Sequence, residues 1–149
     1  QRDRAAGLVR AAIADGATPV LSDDPEPGSA FLRPVLLTDV RTDSAVWREE
    51  VFAPVASVRL VDSEEEALRI ASDTDAGLVG FAWSRDAARL TRAAHTLECG
   101  MVGLNRGLVS DASAPFGGMK QSGLGREGSD VGLHEYLETK YISHPFPPA

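Results

Sequence analysis

The chain has 149 residues, which at the usual ~150 residues per domain leaves room for one compact domain and no second core of any size. Hydrophobic residues at 43% and charged residues at 25% are ordinary globular values, which excludes long disorder, collagen-like repeats and a disulfide-rich mini-scaffold. Fifteen Lys and Arg against 22 Asp and Glu leave a formal charge of −7, and the basic residues are scattered, so the electrostatic footprint of nucleic-acid binding is missing.

In chain order, Leu8, Val9, Ala12 and Ile13 share one helical face, so a helix is expected from the outset, as though entered midway. With no initiator Met, the chain reads as cut. Gly16 supplies the stop, TPVL (18–21) reads as a strand, and SDDPEPGS (22–29) as a polar surface loop. FLRPVLL (31–37) reads as a further strand, and Pro34, which donates no hydrogen bond, predicts a sheet edge or a bulge there. VASVRLV (55–61) is a strand by pattern. Ser63 with Glu66 then forms a capping box before a helix carrying Ala67, Leu68 and Ala71. GLVGFAW (77–83), a helix with Leu90, Ala93, Ala94 and Leu97, and GMVGLN (100–105) complete a strand, helix, strand, helix, strand alternation. That order predicts the α/β class, a mostly parallel sheet flanked by helices. Residues 106–127 carry five glycines and no periodicity, a length that favours a functional loop, the more so at the carboxyl end of a parallel strand. Ser129 is expected to cap a last helix containing Leu133, Tyr136 and Leu137. KYIS and the tail HPFPPA close the chain.

Most simple chemistries are excluded by context. The single cysteine, Cys99, and the three histidines, His95, His134 and His144, offer neither an intramolecular disulfide nor a spaced metal site. They favour a reducing, cytoplasmic compartment, and no apolar run approaches the ~20 residues that span a bilayer. Cys99 stands at the C-terminal end of its predicted helix, where nothing activates a thiolate, and is read as a buried structural residue. Gly123, Gly125 and Gly128 spell a G-x-G-x-x-G, but no strand leads directly into it and the chain nearly ends after it, so the dinucleotide fingerprint fails. A Walker spacing between Gly118 and Gly123 has Leu124 at its lysine position and fails as well. Taken alone, the tandem Glu49-Glu50 beside Phe52 reads as a solvated acidic pair next to a core aromatic.

Three separated motifs in register, EEVFAPV (49–55), GMVGLN (100–105) and APFGGMKQSGLGREG (114–128), resemble the C-terminal part of the aldehyde dehydrogenase superfamily over nearly the whole chain. Residues 107–143 are closer still to its succinate-semialdehyde dehydrogenase branch. The resemblance implies an oxidoreductase acting on a small-molecule aldehyde with NAD or NADP. A cysteine thiolate attacks the aldehyde, hydride leaves to the cofactor, and a glutamate activates the water that hydrolyses the thioester. Both residues and the cofactor-binding domain belong to family segments upstream of EEVF, so no catalytic residue is assigned here and Cys99 does not match the nucleophile.

What carries over by motif is Glu50, similar to the residue that hydrogen-bonds the nicotinamide ribose, and Phe52, similar to the aromatic beside the nicotinamide. Ser110 falls where the branch contacts the substrate carboxylate, and Phe116 with Gly117 and Gly118 resembles a wall of the aldehyde pocket. Ala53 replaces the usual glycine of the family, and its methyl is expected to tighten the turn. Residues 1–139 then correspond to the C-terminal part of the catalytic domain and 140–149 to a short terminal oligomerisation strand and tail, implying a homo-oligomer. The chain alone is expected to be inactive. The alternative reading is a truncated, non-catalytic α/β interaction module, which a coding frame that truly begins near Gln1 favours.

Overall fold

Helix and turn signals in the first seventy residues form the elements they predict. The computed structural model describes residues 1–22 and 30–145. All but Ser22 of the expected loop 22–29, and the last four residues of the tail, lie outside them. The chain divides into two units, Gln1–Ile70 and Ala71–Ala149.

In the first unit, α1 (Arg2–Ala14) buries Ala5, Ala6, Val9 and Ala12, with Leu8 and Ile13 packed against the same core. The helix ends in a Schellman motif. Gly16 stands at φ +103, its amide donates to the Ile13 carbonyl at 3.0 Å, and the Ala17 amide donates to Ala12 at 2.9 Å, which satisfies two carbonyls that the helix itself leaves unpaired. β1 (Thr18–Leu21) pairs antiparallel with β2 (Val35–Thr38). A single turn, α2 (Ala45–Arg48), leads to β3 (Val55–Ser57), which lies parallel to β2. The core of Val9, Ala12, Ala17, Val35, Leu37, Val40 and Val46 fills the space between helices and sheet. Full burial of Leu37, Val9 and Val40 contributes about 1.5–3 kcal/mol each.

Two strand readings contract. Strand β2 begins only after Pro34, and it is the middle strand of the order β1-β2-β3, not an edge. The proline is excluded from the ladder, so it costs no hydrogen bond, and Phe31 is left exposed. The run 55–61 is strand only as far as Ser57, although the Val58 amide still donates to the Leu37 carbonyl at 2.8 Å. The Ser63 half of the capping box before α3 (Glu64–Ser72) is present, Ser63 Oγ accepting from the Glu66 amide at 3.1 Å, while Glu66 Oε2 reaches one residue past the cap and accepts from the Asp62 amide at 3.2 Å.

In the second unit, β4 (Ala76–Gly77), β5 (Val79–Ala82), α4 (Ala87–Thr96) and β6 (Met101–Leu104) come in succession. β5 and β6 pair in parallel, Val79 with Met101 through Ala82 with Leu104. β7 (Met119–Lys120) pairs antiparallel with β4. The α/β class holds, with parallel and antiparallel pairs divided among small sheets. The Asp86 carboxylate caps α4 by accepting from the amides of Ala88 at 2.8 Å and Arg89 at 3.4 Å.

The last helix differs from its reading. α5 (Val131–His134) is one turn whose N-cap is Asp130, and Ser129, at φ +56, spends its hydroxyl on the Asp130 carboxylate at 2.6 Å. Leu133, Tyr136 and Leu137 are exposed. The buried residue is Gly132, whose missing side chain lets the turn lie against Glu127. Cys99, read as buried, is half-buried. Residues 140–145 form no strand, since a strand exists only against a partner edge.

Candidate functional site

The segment after α2 is clasped by the first turn of α1. Gln1 Nε2 donates to the carbonyls of Val51 at 2.8 Å and Phe52 at 3.1 Å. Arg4 Nη1 donates to the Glu50 carbonyl at 3.0 Å, and its Nη2 pairs with Glu49 Oε2 at 2.7 Å. Three successive carbonyls are thus fixed, while Val51 packs against the core. Its neighbours on either side face solvent. Glu50 is exposed, and its carboxylate meets no hydrogen-bond partner among the described residues. Phe52 stands at φ +51 with 77% of its surface exposed, a left-handed conformation that a bulky residue holds only where the surroundings impose it. The turn that follows is tight. The Val55 amide donates to Ala53 at 2.7 Å across Pro54, a three-residue turn. The left-handed position falls on Phe52, so Ala53 needs no glycine freedom.

In the second unit, the loop leaves β6 through Asn105, at φ +52. Its side chain mimics a strand partner: Nδ2 donates to the Ser84 carbonyl and Oδ1 accepts from the Ser84 amide, both at 2.9 Å. Further on, Asp111 Oδ1 accepts from the Ser113 amide at 2.9 Å and from Ser113 Oγ at 2.7 Å. Those two bonds hold the Asp111 carboxyl below its ordinary value. The turn is therefore capped by Asp111, and Ser110, exposed beside it, keeps a hydroxyl with no partner among the described residues.

Phe116 is bolted to Glu127 by an antiparallel bridge, with its amide and that of Glu127 each donating across at 2.7 Å. Beyond it, Arg126 Nη1 donates to the carbonyls of Gly118 at 2.7 Å, Gly125 at 2.9 Å and Leu124 at 3.1 Å. A side chain at Gly117 collides with the Gly125 carbonyl, so glycine is what lets these strands of loop touch. An open cleft of ≈ 400 Å³ is lined by Phe116, Gly117, Gly118, Ser122, Arg126, Glu135 and Tyr136, among others. Ser110 does not line it, although it shares a loop with Phe116. Glu50 and Phe52 belong to the other unit.

Gln1, Arg4 and Arg126 were invisible as site supports in the sequence because their partners are backbone carbonyls, which no residue type announces. The one available signal was an arginine inside a glycine-rich stretch. Cys99 Sγ donates to the Met101 carbonyl at 3.1 Å, a structural contact. Among the described residues no His, Cys, Asp and Glu cluster could hold a metal ion, and no helix is long and apolar enough to cross a membrane.

A profile of the Aldehyde dehydrogenase family matches residues 1–142. A mitochondrial succinate-semialdehyde dehydrogenase of Rattus norvegicus is 50% identical over 137 residues, 91% of this chain and 26% of that protein. The crystal structure of succinate-semialdehyde dehydrogenase from Burkholderia pseudomallei is 45% identical with a TM-score of 0.83, covering 90% of this chain and 28% of that one. A betaine aldehyde dehydrogenase of Staphylococcus aureus, solved in complex with NAD+, is 36% identical with a TM-score of 0.87 over 95% of this chain and 29% of its own. The chain thus spans about a quarter of the length of the curated relatives it matches first.

Proposed function

Because the chain belongs to the aldehyde dehydrogenase family, we propose that it forms the C-terminal part of an enzyme oxidising succinic semialdehyde to its carboxylic acid with NAD or NADP. In that reading the complete enzyme joins these residues to a segment bearing the cysteine nucleophile, the glutamate base and the cofactor-binding domain. The observation that carries the choice of aldehyde is the Ser110 hydroxyl. Its neighbour Asp111 caps the turn, so Ser110 is left to donate to a distal carboxylate. Likeness at 45–50% identity to succinate-semialdehyde dehydrogenases supports the same choice.

A hydrogen bond to a charged group contributes about 1.5–3 kcal/mol, roughly tenfold to a hundredfold in discrimination. In the complete enzyme, Ser110→Ala is expected to lower kcat/KM for succinic semialdehyde by about tenfold or more. An uncharged aldehyde of similar length should be nearly unaffected. Equal losses on both reduce Ser110 to a loop-forming residue.

The exposed residues of the first unit fit the cofactor. Glu50 offers an unengaged carboxylate to ribose hydroxyls, Phe52 offers an aromatic face to the nicotinamide ring, and both stand on backbone fixed by Gln1 and Arg4. When bound, NAD or NADP accepts the hydride. Glu50 orients the ring by holding its ribose, a positional contribution of the kind that proximity makes large. Phe116 walls the aldehyde pocket. We further propose that KYIS, residues 140–143, pairs as a terminal strand with a second copy, which the exposed Tyr141 and Ile142 support. Deleting these residues is expected to lower the mass of the complete enzyme in light scattering. A half-buried, unpaired Cys99 is compatible with a reducing cytoplasm.

A further inference from the structure

We infer that Arg126 is a positioning residue for aldehyde recognition, its guanidinium setting the place of the Phe116 wall and Glu135 steadying it from behind. The inference rests on the reading of Phe116 given above. One nitrogen, Nη1, gathers the carbonyls of Gly118, Leu124 and Gly125 and so closes both ends of the turn that follows the wall. The next residue, Glu127, is the one bonded twice to Phe116. Arg126 therefore grips the chain on both sides of Phe116, two residues after it through Gly118 and across from it through Glu127. Glu135 Oε1 accepts from the Arg126 amide at 3.3 Å, which holds this arginine from the side away from its guanidinium. The approach is close: a side chain added at Gly117 would place its Cβ 2.8 Å from Arg126 Cδ, so the absence of one is what lets the arginine stem lie beside the neighbour of Phe116. The adjacent stretch also meets the Ser110 loop, where the Ser129 amide donates to Ala112 at 3.1 Å. Arginine is required on reach, because a lysine stem ends one bond short of Nη1, whose two N–H groups are shared among the three carbonyls.

The test is steady-state kinetics of the complete enzyme carrying Arg126→Gln, Arg126→Lys, Phe116→Ala and the double variant Phe116→Ala with Arg126→Gln. Arg126→Gln is expected to raise KM for succinic semialdehyde on the order of tenfold, less than the roughly hundredfold that a 1 Å misplacement can cost. KM for the cofactor and kcat should stay within about twofold, and Arg126→Lys should fall between wild type and Arg126→Gln. In the Phe116→Ala background Arg126→Gln should add nothing, since residues acting through one another are not additive. Additive losses, equal losses for cofactor and aldehyde, or an unmoved aldehyde KM overturn the inference. An effect of Phe116→Ala with none from Arg126→Gln overturns it alone, whereas no effect of Phe116→Ala overturns the pocket-wall reading and the inference together. Should Arg126→Gln fail to fold, Glu135→Ala removes the acceptor of the Arg126 amide and leaves the guanidinium in place. It is expected to raise the aldehyde KM in the same sense by a smaller factor, and an unchanged value overturns the inference.

Discussion

Ser110 and Asp111 divide two duties between neighbouring side chains. Asp111 accepts both hydrogen bonds that Ser113 can offer, and its carboxyl titrates below the ordinary 3.8 because those bonds favour the charged form. The folded value is depressed relative to the unfolded chain, so the contribution of this turn is present above the ordinary value and lost as pH falls through the folded one. Carboxyl NMR titration is expected to place Asp111 below 3.8 and the Ser113 amide shift to follow the same midpoint. Ser113→Ala should return it toward the ordinary value. At Glu50 the expected effect is kinetic: Glu50→Gln in the complete enzyme slows hydride transfer more than it weakens aldehyde binding, as single-turnover absorbance at 340 nm reads. Unchanged rates remove Glu50 from the cofactor site.

Elements that close on local contacts are the ones a substitution should damage by a calculable amount. Asp86→Ala removes the cap of α4 and is expected to cost about 0.5–2 kcal/mol. Gly16→Ala forces a side chain into the left-handed region at φ +103 and should cost about 1–2 kcal/mol. Leu37→Ala opens a cavity in the first unit for about 2–5 kcal/mol, each read as a shift of the urea midpoint. The same locality explains what the chain disclosed before its structure was known. The apolar face of α1, the capping box at Ser63 and Glu66, and the spacing of α4 are decided within one or two turns of helix. Strand ends are decided by partners far away in sequence, so the end of β3 at Ser57 is not marked within the run 55–61 itself. α5 reads as an amphipathic helix, but the residue that packs is Gly132, which carries no apolar signal. The candidate residues that the sequence offered, Glu50, Phe52 and Ser110, have side chains exposed to solvent. The side chains that grip carbonyls, at Gln1, Arg4 and Arg126, carried no such signal.

On the scale of the whole molecule, the proposed reading assigns the nucleophile and the cofactor-binding domain to a segment other than these residues. The 149-residue chain alone is expected to oxidise no aldehyde above background; growth of 340 nm absorbance with succinic semialdehyde, abolished by Cys99→Ala, would overturn the reading of Cys99 as structural. A further consequence lies in the pairing of β4 with β7, which meet through only Ala76 with Lys120 and Gly77 with Met119. Lys120 Nζ reinforces that junction by donating to the Ser72 carbonyl at 2.9 Å, across 48 residues of chain. Closing so long a loop must precede any contact that rewards it, so the junction assembles late in folding and is the natural place for local opening to begin. The segment bearing Ser110 and Phe116 lies inside that loop. In hydrogen exchange, the amides of Gly77 and Gln121, bonded to Ser122 Oγ and to the Asp75 carbonyl, should lose protection before the middle of α4. The residues proposed to meet the aldehyde would then be the last of their unit to reach their places and the first to leave them.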